Sequence, residues 1–236
     1  MSVIAMAPAL DEAPKIGQVI SRTPRPTVDE VMVIDDGSTD DTVEVARRAG
    51  ATVLSMGRIC GVGAALRAGY AYGLGKGYDV MVVMAGNNKD APEEIPRLLD
   101  PVADGEADFV QGSRYLDKNA DLGDMPLYRR VATRLHPMLF SLICGQRVTE
   151  STNGFRAVHR RVFEDPRLDL EQSWLDQYEL EPYLYLRAIE LGYKTTEVPV
   201  TKVYPPRHMG QTKMRPVTDW WSLLRPLVFK GLRLKR

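Results

Sequence analysis

The chain has 236 residues, 44% of them hydrophobic, with 31 Lys and Arg side chains against 31 Asp and Glu. At roughly 100–200 residues per domain, it is long enough to bury a sizeable core in one large domain or two small ones. A charged fraction of 26% excludes a disordered or fibrous chain, and zero net charge argues against a nucleic-acid-binding protein, which carries a basic excess.

The first half of the sequence predicts strands that alternate with helices. Apolar stretches indicate strands at residues 2–7, 30–34, 51–56, 79–84 and 108–112. Helical periodicity and end signals indicate helices at residues 12–21, 40–49, 64–74 and 93–99, with Gly50 ending the second. This alternation predicts an α/β fold with a mostly parallel sheet and right-handed crossovers.

The second half has a different texture, with longer amphipathic helices. We expect a helix at residues 128–144, a strand-like segment at 154–162, a helix at 180–191 closed by Gly192, a strand at 196–200 and a last helix at 218–231. The apolar runs are far shorter than the roughly 20 residues that span a bilayer, so no transmembrane helix is expected. Cys60 and Cys144 form no metal-binding spacing, which favours a reducing, cytoplasmic setting.

Three polar clusters follow predicted strands, where an open parallel sheet binds its ligands. They comprise Pro8, Leu10, Asp11 and Glu12 after the first strand, Asp35 and Asp36 after the second, and the segment 86–90, GNNKD, after the fourth. Carboxylates here suit ribose hydroxyls or a metal ion. For the second cluster the alternative is a plain helix start, since DGSTD is a good capping sequence without any ligand.

The order of these motifs resembles that of the family 2 glycosyltransferases, and within them the polyprenyl-phosphate (dolichol-phosphate) mannosyltransferase-like branch. The matching segments are PALDE at 8–12, VIDDGSTD at 33–40, GVGAALRAG at 61–69, PEEIP at 92–96, GSRY at 112–115, TNGFR at 152–156 and EVPV at 197–200, then Arg207, Gly210 and Thr212-Lys213. The resemblance covers nearly the whole chain. It implies the GT-A fold in one domain, with a nucleotide-sugar half at residues 1–113 and an acceptor half at 114–236.

By this resemblance, Pro8, Leu10, Glu12 and Asp36 would hold the base and ribose of a nucleotide-sugar, either a GDP-sugar or a UDP-sugar. Arg114, Arg207 and Lys213 would face its pyrophosphate and sugar. Fixed cations there would lower the barrier, because the departing nucleoside diphosphate gains negative charge. For Arg207 and Lys213 the alternative is an ordinary solvated basic loop.

One motif departs from the family pattern. The family has Asp-x-Asp after the central strand and uses it to bind Mg²⁺ or Mn²⁺, whereas this chain has Ala85-Gly86-Asn87, and Lys89 where many relatives carry glutamine. Three interpretations stay open: a metal-independent site in which Lys89 and Asn87 act on the leaving group, a weak metal site formed by Asn87 and Asp90, or an inactive site. A lysine about 4 Å from a phosphate oxygen gains roughly 4 kcal/mol at an effective dielectric near 20, before desolvation.

The acceptor half carries basic residues beside apolar ones. Arg129, Arg130 and Arg134 precede the apolar run 138–144, and the last helix, also amphipathic, ends in a basic tail. Such helices are typical of elements that lie on an anionic membrane surface, although ordinary packing on the sheet is the alternative. By the resemblance, Arg129, Arg130, Arg134, Asn153 and Arg156 would bind a lipid phosphate.

The predicted function is therefore that of an inverting glycosyltransferase that acts on a polyprenyl phosphate. We expect it in the cytoplasm, peripheral on the inner face of the membrane and without a nucleic-acid partner. A phosphate acceptor is already anionic and needs no general base, whereas a hydroxyl acceptor would need one, with Glu150 and Glu179 as candidates. The alternatives are transfer to a soluble hydroxyl acceptor and a non-catalytic protein that binds nucleotide-sugars.

Overall fold

The computed structural model describes residues 1–204, 214–215 and 218–232, and these form a seven-stranded sheet flanked by helices. The strands are β1 (Val3–Ala9), β2 (Glu30–Asp35), β3 (Thr52–Ser55), β4 (Val80–Val83), β5 (Phe109–Ser113), β6 (Arg156–His159) and β7 (Thr195–Pro199). The helices are α1 (Ala13–Arg22), α2 (Thr42–Arg48), α3 (Val62–Lys76), α4 (Ile95–Ala103), α5 (Leu127–Cys144), α6 (Arg160–Phe163), α7 (Leu180–Glu190) and α8 (Thr218–Gly231).

The strand order is β3-β2-β1-β4-β6-β5-β7. The neighbours β3, β2, β1 and β4 all run parallel, and β6 is antiparallel to both β4 and β5. The carboxyl ends of β1, β2 and β4 consequently lie side by side at one edge of the sheet. That edge is where a parallel α/β sheet places its ligand site.

The core lies on both faces of the sheet because side chains alternate along each buried strand. In β1, Val3, Ala5 and Ala7 pack against α1 and α4, whereas Ile4 and Met6 pack against α3 on the opposite face. Ile4 is fully buried, and burial of one such side chain contributes about 1.5–3 kcal/mol. Near-continuous apolar strands such as Val80–Val83 are therefore required by the two-sided burial.

The structure confirms the predicted fold class and the order of its elements. Gly50 and Gly192 follow helices in the left-handed region, with φ of 86° and 84°, as the end signals predict. The strand-like segment predicted at 154–162 is partly wrong, since β6 ends at His159 and residues Arg160–Phe163 form α6, whose start is capped by the His159 side chain. Within the described residues, no helix is both long and apolar enough to cross a membrane.

Candidate active site

A cleft of about 450 Å³ opens at the carboxyl ends of β1, β2 and β4. All four of the described residues predicted for the nucleotide, Pro8, Leu10, Glu12 and Asp36, line it together with Asn87, Lys89 and Arg114. Residues from α3, α5, α8 and the segment after β7 complete the walls. The fold thus assembles into one cavity polar segments that are distant in the chain, from Glu12 after β1 to Lys202 after β7.

Asp36 is buried at the wall of this cleft and orders the turn that leads into α3. Its carboxylate accepts hydrogen bonds from the backbone N–H groups of Cys60 at 2.7 Å and Gly61 at 3.0 Å. Asp40, not Asp36, binds the N–H of Thr42 at the start of α2, at 3.0 Å. Asp36 is therefore not a helix-capping residue, and its carboxylate keeps acceptor capacity toward the cleft.

Asp90 and Asn87 do not form a donor set that suits a divalent ion. The Asp90 carboxylate accepts from the Ala85 N–H at 2.8 Å and from Lys202 Nζ at 2.6 Å, and Asn87 Oδ1 accepts from the Lys89 N–H at 3.3 Å. No cluster of three or more His, Cys, Asp or Glu side chains that could hold a metal occurs in the described parts of the chain. Hard cations require several free, preferably anionic oxygens, so the described residues around Asp90 and Asn87 do not fit such an ion.

Lys89 lies inside the cleft with only 6% of its surface exposed. Its ammonium sits over the Tyr204 ring, 5.1 Å from the centroid. Burial, together with the neighbouring cations Lys202 and Arg129, lowers the pKa of Lys89 to about 7. Positive charge is therefore concentrated around Lys89, and this arrangement favours the binding of an anion.

Arg114 is buried at the back of the same cleft. Its Nε donates to Glu150 Oε2 at 2.6 Å and its Nη1 to the Tyr204 hydroxyl at 3.1 Å. Burial alone lowers the pKa of this guanidinium, but the Glu150 carboxylate outweighs it and the net pKa is raised. Arg114 is a fixed cation, held in place by Glu150, that faces the cavity.

The residues predicted to bind the acceptor lie at different places in the structure. Arg129 lines the main cleft, with its guanidinium 5.5 Å from the Tyr204 centroid, whereas Arg134 is exposed over Tyr115 and lines a neighbouring cavity of about 420 Å³. Arg130 lines neither of these two cavities.

Asn153 and Arg156 belong to the framework of the protein. The Arg156 guanidinium is 1% exposed and donates to the carbonyls of Asn153 at 2.7 Å and Glu181 at 2.9 Å. The Asn153 amide donates to Gly112 O at 3.0 Å and accepts from Lys202 Nζ at 2.8 Å. With their polar atoms engaged in this way, both residues join β5, β6 and α7 instead of facing the cleft.

The two carboxylates considered as general bases are also engaged. Glu150 is held by Arg114, and its other oxygen accepts from the Thr152 N–H at 2.8 Å. Glu179 forms a 3.0 Å ion pair with Arg225 of α8 and is 1% exposed. Neither carboxylate lines the cleft, so the geometry gives no support to general-base catalysis by either.

Several residues of the cleft were missed by sequence reasoning. Lys202 and Tyr204 follow β7 directly, so the rule that polar residues after strands form the site could have found them. Trp220 and Leu223 of α8 carry no local signal, because only tertiary packing brings α8 to the cleft. The predicted donor residues Arg207 and Lys213 lie outside the described residues.

Comparison with known proteins places the chain among glycosyltransferases. A family model described as Glycosyl transferase family 2 matches residues 6–166. The chain is 34% identical to a polyprenol monophosphomannose synthase of Mycolicibacterium smegmatis, over 78% of this chain and 69% of that protein. It is 31% identical to an undecaprenyl-phosphate mannosyltransferase of Micrococcus luteus, over 91% of this chain and 88% of that protein.

Solved structures support the same fold. Glucosyl-3-phosphoglycerate synthase from Mycobacterium tuberculosis, in complex with Mn²⁺, uridine diphosphate and phosphoglyceric acid, superposes with a TM-score of 0.71. The identity is 20%, over 98% of this chain and 78% of that one. At this identity the likeness concerns the fold, and the bound metal is a property of that complex.

Proposed function

Because the chain belongs to glycosyl transferase family 2 and is a glycosyltransferase, we propose that it transfers a sugar from a nucleotide-sugar to a polyprenyl phosphate with inversion at the anomeric carbon. The observation that carries this proposal is the polarity of the cleft. The carboxylates of Glu12 and Asp36 line the cleft beside Pro8 and Leu10, and the cations Lys89, Arg114 and Arg129 line it as well. Carboxylates suit ribose hydroxyls, and clustered cations suit phosphates.

The chemistry requires only binding groups from the protein. An oxygen of the acceptor phosphate attacks the anomeric carbon, and the bond from that carbon to the donor diphosphate breaks on the opposite face. The diphosphate leaves with the electron pair, and the cations stabilise the charge that develops on it. No proton has to be removed, in keeping with the engagement of Glu150 and Glu179 in ion pairs.

Arg129 and Arg114 are the residues that we assign to the acceptor phosphate. Arg129 is at the start of α5, where this helix borders the cleft, and Arg114 lines both the main cleft and the neighbouring cavity beside α5. Guanidinium groups bind phosphate by paired hydrogen bonds. This assignment replaces Asn153 and Arg156, whose polar atoms are used within the framework.

We further propose that α5 docks on the cytoplasmic membrane surface, which would present the lipid acceptor to the cleft. One face of α5 buries Thr133, His136 and Phe140, whereas the opposite face exposes a stripe of apolar side chains. The exposed stripe is Leu127, Tyr128, Val131, Leu135, Met138, Leu139 and Leu142, with exposed fractions from 37% to 81%. Arg134 is exposed beside it, and such a pattern is typical of a helix that lies in a lipid interface.

The test is transfer to lipid in a defined system. The purified chain is incubated with radiolabelled GDP-mannose, UDP-glucose or UDP-N-acetylglucosamine and liposomes that contain undecaprenyl phosphate, and label in the organic phase is counted. Liposomes without undecaprenyl phosphate and the variant Asp36→Asn serve as controls, and NMR of the product gives the anomeric configuration. Label that reaches only a water-soluble hydroxyl acceptor, or nucleotide binding without any transfer, would contradict the proposal.

A further inference from the structure

Lys89 places an ammonium group in the cleft without a hydrogen-bond acceptor among the described residues. Lys89 is more than nine-tenths buried, and the side chain makes no ion pair or hydrogen bond with any residue that the structure describes. Its contact is the face of the Tyr204 ring. Burial removes part of the hydration of an ammonium, and an anion that accepts its hydrogen bonds restores that energy, so this arrangement favours an anionic ligand.

Lys202 supplies a second ammonium group at the same place. The side chain is 10% exposed, and Nζ donates to Asp90 Oδ1 at 2.6 Å and to Asn153 Oδ1 at 2.8 Å. An ammonium has three N–H donors, and one of those on Lys202 is left for a ligand. Lys202 also lines the cleft.

The backbone holds the two lysines in one unit. An antiparallel bridge joins Asp90 to Lys202, and the Val203 N–H donates to Lys89 O at 3.0 Å. The segment after β4 and the segment after β7 are thereby fixed side by side at the floor of the cleft. Among the described residues, the charged groups that act on Lys89 are Lys202, Arg129, Lys15 and Glu12, and three of these four are cations.

We propose that Lys89 and Lys202 form a paired-ammonium site that binds the donor's diphosphate directly, in the place where a divalent ion would otherwise act. This inference rests on the proposed function. Asp90, the carboxylate of this loop, is neutralised by Lys202, and a divalent ion at Asp90 would have to displace Lys202 and stand beside two ammonium groups. A diphosphate needs no such displacement, because it accepts hydrogen bonds from Lys89 and from the remaining donor of Lys202.

The proposed acceptor also carries a phosphate, so the experiment must distinguish binding of the donor diphosphate from binding of the lipid phosphate. The 236-residue chain is treated with EDTA. Its affinities for UDP, GDP, the nucleosides uridine and guanosine, and undecaprenyl phosphate in liposomes are then measured by calorimetry. The nucleotide and nucleoside titrations are repeated with Mg²⁺ and Mn²⁺. We expect a diphosphate to bind in EDTA with an affinity that changes less than about twofold when metal is added.

The variant Lys89→Met should weaken diphosphate binding by roughly 10- to 100-fold, the range of one charge-assisted hydrogen bond. Nucleoside binding should stay unchanged. Lys76→Met is the matched control, because Lys76 is exposed at the far end of α3, about 20 Å along the helix from the end that lines the cleft. Lys202→Met leaves Asp90 buried without its partner, so the double variant Asp90→Asn/Lys202→Met, which removes both charges, measures the contribution of Lys202 in a folded protein.

The outcomes are distinguishable. Diphosphate binding that appears only with Mg²⁺ or Mn²⁺ overturns the paired-ammonium site and leaves the proposed function intact. A Lys89→Met variant that loses affinity for undecaprenyl phosphate but not for the diphosphates also overturns it, since the ammonium would then serve the acceptor. Failure of every nucleotide to bind under all conditions contradicts the proposed function itself, and this inference with it.

Discussion

The buried ion pair between Arg114 and Glu150 allows structure and catalysis to be separated. In Arg114→Met the Glu150 carboxylate, which is fully buried, keeps its bonds to Thr152 but loses the cation at 2.6 Å. An uncompensated buried charge destabilises a protein by about 3–5 kcal/mol, which for a chain of this size lowers Tm by roughly 6–20 °C. Arg160→Met is the matched control, because its pair with Glu164 is exposed and screened by solvent.

The double variant Arg114→Met/Glu150→Gln removes both charges. We expect it to recover about 0.5–3 kcal/mol relative to Arg114→Met while transfer to the lipid acceptor stays abolished, because the cation that faces the cleft is missing. Urea unfolding followed by circular dichroism gives the free energies, and equal m-values verify that the same surface is exposed. An Arg114→Met variant within about 1 kcal/mol of the parent, or a double variant that regains transfer, would refute the reasoning.

Three further predictions concern other parts of the molecule. The double variant Leu135→Glu/Met138→Glu, on the exposed stripe of α5, should abolish sedimentation with anionic liposomes. It should change the free energy of unfolding by less than about 0.5 kcal/mol. Undiminished sedimentation contradicts membrane docking by α5. Burial lowers the pKa of His136 below its ordinary 6.5, so the unfolded chain binds more protons and stability falls as the pH drops below about 6.5. His136→Gln should flatten this part of the plot of urea midpoint against pH. A variant whose plot runs parallel to that of the parent would be the contrary result. Gly61→Ala places Cβ 2.3 Å from Asp176 O at a φ of 102°, so this variant should lose stability and nucleotide affinity together. In the control Gly75→Ala, the Cβ in α3 meets nothing within 4 Å and should stabilise the protein by about 0.5–1 kcal/mol. Equal unfolding free energies for the two variants would exclude backbone strain at Gly61.

The His136 contact also illustrates what sequence could not supply. The ring lies between Ser151 at 2.7 Å and the Leu223 carbonyl at 3.0 Å, and so joins α5 to α8. A carbonyl only accepts, so Nε2 carries the proton, and neutral Nδ1 accepts from the Ser151 hydroxyl. Nothing in the spacing of the histidines indicated this role, because both partners are distant in the chain.

The sequence by itself determined the elements, their order and several of the residues that line the cleft. Apolar periodicity placed the strands and helices, and the meeting of parallel strand ends then brought Pro8, Glu12, Asp36 and Lys89 to one edge. The ordered motifs added the family, and the missing carboxylates at Ala85-Gly86-Asn87 are visible from residue types alone.

Only the tertiary structure decided which polar side chains line the cleft and which belong to the framework. Asp90 pairs with Lys202 across 112 positions. The Arg156 guanidinium donates hydrogen bonds to backbone carbonyls, whereas Arg129 lines the cleft. The two arginines carry the same charge and the same donor groups, so residue type cannot separate them. The distinction depends on distances of a few ångströms between distant segments, because a hydrogen bond or an ion pair exists only when packing brings its two partners together.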